Sequence, residues 1–189
     1  MTPELAAVLR QAWALLADGG QNPGSAWRNL ALATAGLDGM PQVRTVVLRR
    51  SDEAARELEV HTDRRSAKHA ELLANPRATL HGWDAAARVQ LRAAGTVRLH
   101  QADPVAASAW QALRPASRAT YLVASAPGTP KDTPADSAAS TDEAAAQEAF
   151  CVVRLTIERL DYLHLQQGSH RRARFVWAES GAAAMWLVP

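Results

Sequence analysis

Two stretches hold residues able to bind an anion. In Arg44-Thr45-Val46-Val47-Leu48-Arg49-Arg50, three arginines lie on or at the end of what otherwise reads as a buried strand. Alternation puts Arg44 with Val46 and Leu48 on one face and Arg49 on the other. A guanidinium among core side chains is costly unless an anion pairs with it. The second stretch, His61-Thr62-Asp63-Arg64-Arg65-Ser66-Ala67-Lys68, runs from a strand end into a helix start. Hydroxyls, an ammonium and the open N–H groups of a first helical turn suit a phosphate. Arg44 and Lys68 are expected to face that anion; Arg50, Arg64 and Arg65 are expected to be solvated.

Other chemistry is sparse. The chain has no Gly-x-Ser-x-Gly elbow, no Gly-x-x-x-x-Gly-Lys-Ser/Thr loop and no Gly-x-Gly-x-x-Gly fingerprint. Its histidines (His61, His69, His81, His100, His164, His170) form no tight ligand pair with neighbouring acids, so no metal is expected. Cys151 opens a hydrophobic strand and reads as a packed thiol, not a nucleophile. No carboxylate pair stands out, and no residue receives a catalytic role.

Composition sets the class. The 189 residues are 48% hydrophobic and 21% charged, enough to bury a core, and the formal charge is +2. One cysteine excludes an internal disulfide framework, and no run of 18 apolar residues offers a membrane helix. The start, MTPELAAVLRQAW, lacks the basic end and unbroken apolar stretch of a signal peptide, so a cytoplasmic protein is expected. Of the 21 basic residues, 19 are arginine and two are lysine, Lys68 and Lys131. Ser125–Ala149 carries one lysine against five acids, a net of −4, which leaves +6 on the other 164 residues.

Periodicity supplies the elements that must position these groups. Residues 3–17 form an amphipathic helix with Thr2 as cap, stopped by Gly19 and Gly20. Strands follow at 29–34, 43–50 and 58–62, with an Asp38-Gly39 hairpin turn between the first two. A short helix at 66–74, capped by Ser66, precedes a hairpin of strands at 78–83 and 88–99. Helices at 104–113, capped by Asp103, and 117–123 lead to final strands at 150–165, 174–177 and 184–187. The order predicts an α+β fold with antiparallel pairing, most economically a small barrel with helices at its ends. Segment 125–149 has no aliphatic residue larger than alanine. It reads as a mobile acidic insertion, with a short helix near 143–149, inside one domain spanning 1–189.

With these elements in place the sequence resembles the pyridox(am)ine 5'-phosphate oxidase family of FMN-binding split-barrel flavoproteins. The family's Arg-x-x-x-Leu-Lys strand appears as Arg44-Thr45-Val46-Val47-Leu48-Arg49, and its aromatic-Thr-Asn strand end as His61-Thr62-Asp63. Its Ser-Arg-Lys helix start and following Asn-Pro appear as Ser66-Ala67-Lys68 and Asn75-Pro76. Its strand glutamine matches Gln90, ahead of Gly95 and Leu99. The C-terminal signature matches Gly168-Ser169-His170-Arg171, Arg174-Phe175, Trp186 and Leu187-Val188-Pro189. The likeness covers roughly residues 26–124 and 150–189, and is greatest to a shorter branch with no assigned substrate.

The resemblance implies a mainly antiparallel, six- to eight-stranded split β-barrel with peripheral helices. It implies that Arg44 and Lys68 bind the FMN phosphate, helped by Thr62 and Ser66. Val47, Leu48 and Arg49 would line the flavin edge, Gln90 would contact the ring, and Arg174 would reach it from the C-terminal strands. Substrate would meet Arg49, Trp110, Arg114, Ser117 and Arg172. It implies a homodimer with FMN at the subunit interface and an FMN-dependent oxidoreductase acting on a small molecule.

The chain also departs from the family pattern. The arginine before Lys68 is Ala67, leaving Arg64 or Arg65 as a replacement, and the substrate-side lysine is Arg49. The Arg-x-His pair is not reproduced, and Leu165 falls where an aromatic is usual. Pyridoxamine phosphate oxidation is therefore less expected than FMN binding. The alternatives are a flavin or phosphate-ligand carrier without turnover and a nucleic-acid binder. The second is disfavoured because the arginines alternate into strands instead of forming an exposed run.

Overall fold

Chain order in the computed structural model, which describes residues 1–133 and 140–189, begins with helix α1 (Pro3–Gln21) and strands β1 (Asn29–Ala35), β2 (Pro41–Asp52) and β3 (Glu57–Asp63). Helix α2 (Ala67–Ala74) precedes β4 (Arg77–Asp84) and β5 (Val89–His100). Then come α3 (Pro104–Ala112), α4 (Pro115–Arg118), a 3-10 turn (Ala119–Tyr121) and α5 (Glu143–Ala149). Strands β6 (Phe150–His164), β7 (Arg171–Ala178) and β8 (Gly181–Leu187) close the sequence. Residues 134–139, the centre of the segment read as a mobile loop, lie outside the described residues.

All neighbouring strands pair antiparallel in the order β3-β2-β1-β4-β5-β6-β7-β8, and β3 also pairs with β6. That last pairing closes six strands into a barrel and leaves β7 and β8 as an extension. β6 serves both: residues 150–156 pair with β3, residues 159–164 with β7, and β5 runs along its length. The register shifts between Ala94 and Gly95, leaving Glu158 unpaired where β6 leaves one partner for the other. A bulge there bends the strand and splits the barrel. Gly95 permits it, because a Cβ would lie 1.9 Å from the Thr156 carbonyl oxygen.

Inward residues of the strands, among them Leu32, Leu48, Leu58, Val60, Leu80, Leu91, Ile157 and Leu160, fill the barrel. Helix α1 packs Leu5, Val8, Trp13 and Leu16 into the same core and contacts β2, β7 and β8. Thr2 caps it as expected, accepting from the Leu5 N–H at 3.3 Å. The helix does not stop at Gly19-Gly20 but continues to Gln21. Gly19 is needed for contact, since a Cβ there would meet the Trp27 carbonyl oxygen at 2.4 Å. A second cluster of Trp110, Leu113, Ala146, Phe150 and Val152 joins α3 and α5 to the outside of β6. No helix among the described residues is long and apolar enough to cross a membrane.

Candidate functional site

The site grows from a bulge in β2. Leu48 pairs with Val60 and Arg50 with Glu59, so Arg49 is an extra residue without a partner on β3. The bulge puts the Arg49 side chain beside His61 and Glu59, outside the barrel and under α3 and α4. Two cavities meet at Arg49 and His61. One, of about 280 Å3, is lined by Thr45, Val47, Thr62, Lys68 and Tyr121 as well. The other, of about 490 Å3, adds Arg28, Glu59, Arg114 and Ser117.

Pairing separates the cations here from those elsewhere. Arg64 is 2.6 Å from Glu148, Arg65 2.6 Å from Asp63, and Arg50 lies within 3.6 Å of Asp52, Glu57 and Glu59. These three, expected to be solvated, are thus ion-paired. Arg65 also donates to the carbonyls of Val123 and Ala124, so both of the arginines that could replace the one missing at Ala67 already hold partners. Among the described residues Arg49, Arg114 and Lys68 have no carboxylate within ion-pair distance, and the buried Nε of Arg49 has no hydrogen-bond partner. Arg28, among the described residues, donates only to the carbonyls of Gly19, Gly20 and Leu48. Burial, then the charges of Arg49 and Arg114, lower its pKa. Burial, then the charge of Arg44, likewise lowers the pKa of Lys68. A bound anion would offset this burial and mutual repulsion.

Around Lys68 the hydroxyls lie close together. Ser66 holds the N-cap position of α2, but its hydroxyl turns to the Asp63 carbonyl at 2.6 Å and caps no helix N–H. Buried and 3.2 Å from the Thr62 hydroxyl, it satisfies the turn instead. Arg44 points inward at the barrel end and meets Thr34 and, at 2.6 Å, Glu71. Leu48 is fully buried, so its side chain serves the core, while Val47 lines the smaller cavity.

The remaining expected residues are elsewhere. Gln90, Leu163, Arg172 and Leu187 form one cross-strand row; Arg92, Asp161, Arg174 and Met185 form the next on the same outer face. Asp161, 5% exposed, accepts from Arg174 Nε at 2.7 Å and from Arg92 at 2.9 Å. Thr62 pairs with Cys151, whereas Gln90 pairs with Leu163. At about 3.3 Å per residue those positions are roughly 40 Å apart along β6. One chain therefore brings Thr62, Ser66, Lys68, Val47 and Arg49 together, but not Gln90 or Arg174 with them.

The substrate-side set divides similarly. Arg49, Arg114 and Ser117 line the larger cavity, while Arg172 sits on the far face. Trp110 is buried against Phe150 and Tyr121, with ring centroids 5.5 and 5.9 Å away, and does not line it. Sequence reasoning missed Arg28, Glu59 and Tyr121. An arginine just before an apolar strand gave no signal, and Tyr121 lay in a segment read only as helical turns. Burial raises the Tyr121 phenol to about 12 and the Cys151 thiol to about 12, so both stay protonated at neutral pH.

Glu59 anchors the floor. Burial opposes its ionisation, but hydrogen bonds from His61 at 3.2 Å and Arg154 at 2.9 Å prevail and bring it from 4.5 to about 2. Because the folded value is the lower one, Glu59 adds stability that is full above 4.5 and lost as the pH falls toward about 2. Glu59→Gln is expected to flatten the acid limb of stability; urea unfolding followed from neutral pH to about 3 checks this. An unchanged acid limb would refute it.

Comparison with known proteins agrees with this architecture. The family described as pyridoxamine 5'-phosphate oxidase matches residues 28–164. A pyridoxine/pyridoxamine 5'-phosphate oxidase of Thermosynechococcus vestitus is 44% identical over 68 residues, 36% of this chain and 31% of that protein. The matched stretch thus spans under a third of that relative's length. A pyridoxamine 5'-phosphate oxidase-related, FMN-binding protein of Nostoc punctiforme shares the fold with a TM-score of 0.76 at 24% identity, covering 100% of this chain and 99% of its own. PhzG of Burkholderia lata, solved with tetrahydrophenazine-1-carboxylic acid, has a TM-score of 0.75 at 18% identity, covering 100% and 98%. From the barrel split at the β6 bulge and the family match over most of its length, the chain belongs to the pyridoxamine 5'-phosphate oxidase family.

Proposed function

We propose that this protein binds FMN and is an oxidoreductase acting on a small anionic substrate. The observation that carries this reading is Arg49, unpaired and with an orphaned buried Nε, standing between two cavities that each hold further unpaired cations. The residues fit the cofactor. Lys68, the Thr62 hydroxyl and the neighbouring Arg44 offer cations and a donor for a phosphate dianion, Ser66 shapes the turn that carries them, and Val47 supplies apolar wall. When bound, FMN supplies a two-electron acceptor or donor.

The chain's own residues then orient and exclude. Arg49, Arg114 and Ser117 offer a cationic seat for a carboxylate or phosphate on the substrate in the larger cavity, and Tyr121 adds an aromatic wall to the smaller one. Gln90 and Arg174 would complete the flavin site from a second copy, because they lie at the far end of β6 from Lys68. Their outer face also exposes Trp83 at 42% and Met185 at 39%, apolar surface suited to a homodimer contact.

The test is an absorption spectrum of the purified protein with and without added FMN, and mass identification of any bound chromophore. Flavin bands and retained FMN are expected; a colourless protein that ignores added FMN would sink the reading. Turnover with NAD(P)H and with pyridoxamine 5'-phosphate then separates an enzyme from a carrier.

A further inference from the structure

We propose that Glu71 is a positioning residue whose carboxylate, with Thr34, holds the Arg44 guanidinium at the barrel end so that it and Lys68 can share one phosphate. This inference rests on the FMN reading above. Glu71 Oε2 accepts from the Thr34 hydroxyl at 2.5 Å and from Arg44 at 2.6 Å, and Thr34 also accepts from the other terminal nitrogen of Arg44. The three side chains form a closed ring. Thr34 is 7% and Glu71 5% exposed, so the ring is screened from water and its geometry is held.

The placement of Glu71 is specific. It lies three residues after Lys68 on α2, hence on the same side of that helix. One helical turn thus delivers both the second cation and the carboxylate that orients the first. Arg44 comes from β2, opposite Leu32 of β1, with a long side chain that would otherwise sample many rotamers. Fixing it before a ligand arrives removes that ordering cost from the binding step. Lys68 itself has no such anchor among the described residues, so the pair consists of one held and one adaptable cation. A carboxylate acting only through its charge would repel the phosphate, so its removal would tighten FMN binding, the opposite of the positioning role. The proposed role acts on the phosphate alone.

The experiment compares dissociation constants for FMN and for riboflavin, which lacks the phosphate, by flavin fluorescence in wild type, Glu71→Ala and Glu71→Gln. Thermal midpoints are recorded alongside. Glu71→Ala is expected to bind FMN about ten-fold more weakly with riboflavin unchanged, and Glu71→Gln, which keeps an acceptor oxygen, to recover most of the loss. Unchanged or tighter FMN binding by Glu71→Ala would overturn the proposal, and so would equal losses for both flavins. Wild type that binds FMN in those cases leaves the FMN reading standing; wild type that binds neither flavin overturns both.

Discussion

Lys68→Ala and Arg174→Ala proteins are each expected to bind FMN about a hundred-fold more weakly, and a reassociated mixture to regain about a quarter of the wild-type sites. The loss of a charge-assisted contact to a buried phosphate or ring costs about 3 kcal/mol, close to two decades in affinity. Recovery follows from placement. Lys68 and Thr62 belong to one end of β6 and Arg174 to the other, so under the proposed function a site using both would draw on two chains. Random exchange makes half the dimers mixed, and each mixed dimer holds one site with neither substitution. Neither change strands a buried partner. Lys68 has no carboxylate within ion-pair distance among the described residues, and Asp161 keeps Arg92 at 2.9 Å when Arg174 is gone. Thermal midpoints should therefore stay near wild type, and for Lys68→Ala even rise, because burial and Arg44 already disfavour its charge. A mixture that regains nothing while both variants remain dimeric would refute the shared site.

Arg44→Ala should behave differently, losing stability together with FMN. Glu71 would keep only Thr34, and its side chain is 7% exposed. Breaking a buried pair costs about 3–5 kcal/mol. Arg44 retains 21% exposure, so solvent screening lowers this to about 2–4 kcal/mol. For a chain of this size that is a fall of roughly 5–15 °C in Tm. The double variant Arg44→Ala/Glu71→Ala removes both charges and should recover much of the midpoint but not the FMN affinity. Arg65→Ala is the contrast: Arg65 is committed to Asp63 and to the Val123 and Ala124 carbonyls, so its loss should weaken FMN binding less. Equal effects of Arg44→Ala and Arg65→Ala on FMN would reject this assignment of the phosphate site.

Much of the fold was legible because strands and helices announce themselves by period. The alternation in 88–99 and the apolar spacing in 3–17 correspond to β5 and α1 within a few residues, and Asp103 caps α3 as expected, accepting from the Ala106 N–H at 2.9 Å. Errors fell where a tertiary contact overrode a local rule. Gly19 looked like a helix stop and is a contact with Trp27; Ser66 takes the N-cap position as expected, but its hydroxyl bonds the Asp63 carbonyl instead of a helix N–H. The bulge at Arg49 could not be read from β2 alone, because it is defined by how β3 pairs with it.

Sequence by itself determined the strand and helix order and the family, and singled out the residues expected to meet a phosphate. These depend on neighbours along the chain, whose spacing is printed in the sequence. Only the tertiary structure decided which cations are already neutralised. It tied Arg44 to Glu71, Arg65 to Asp63 and Arg174 to Asp161, and left Lys68, Arg49 and Arg114 around the cavities. It also placed Gln90 and Arg174 at the opposite end of β6 from Lys68. Ion pairing and strand register depend on distances between residues far apart in sequence, and those distances exist only once the barrel closes.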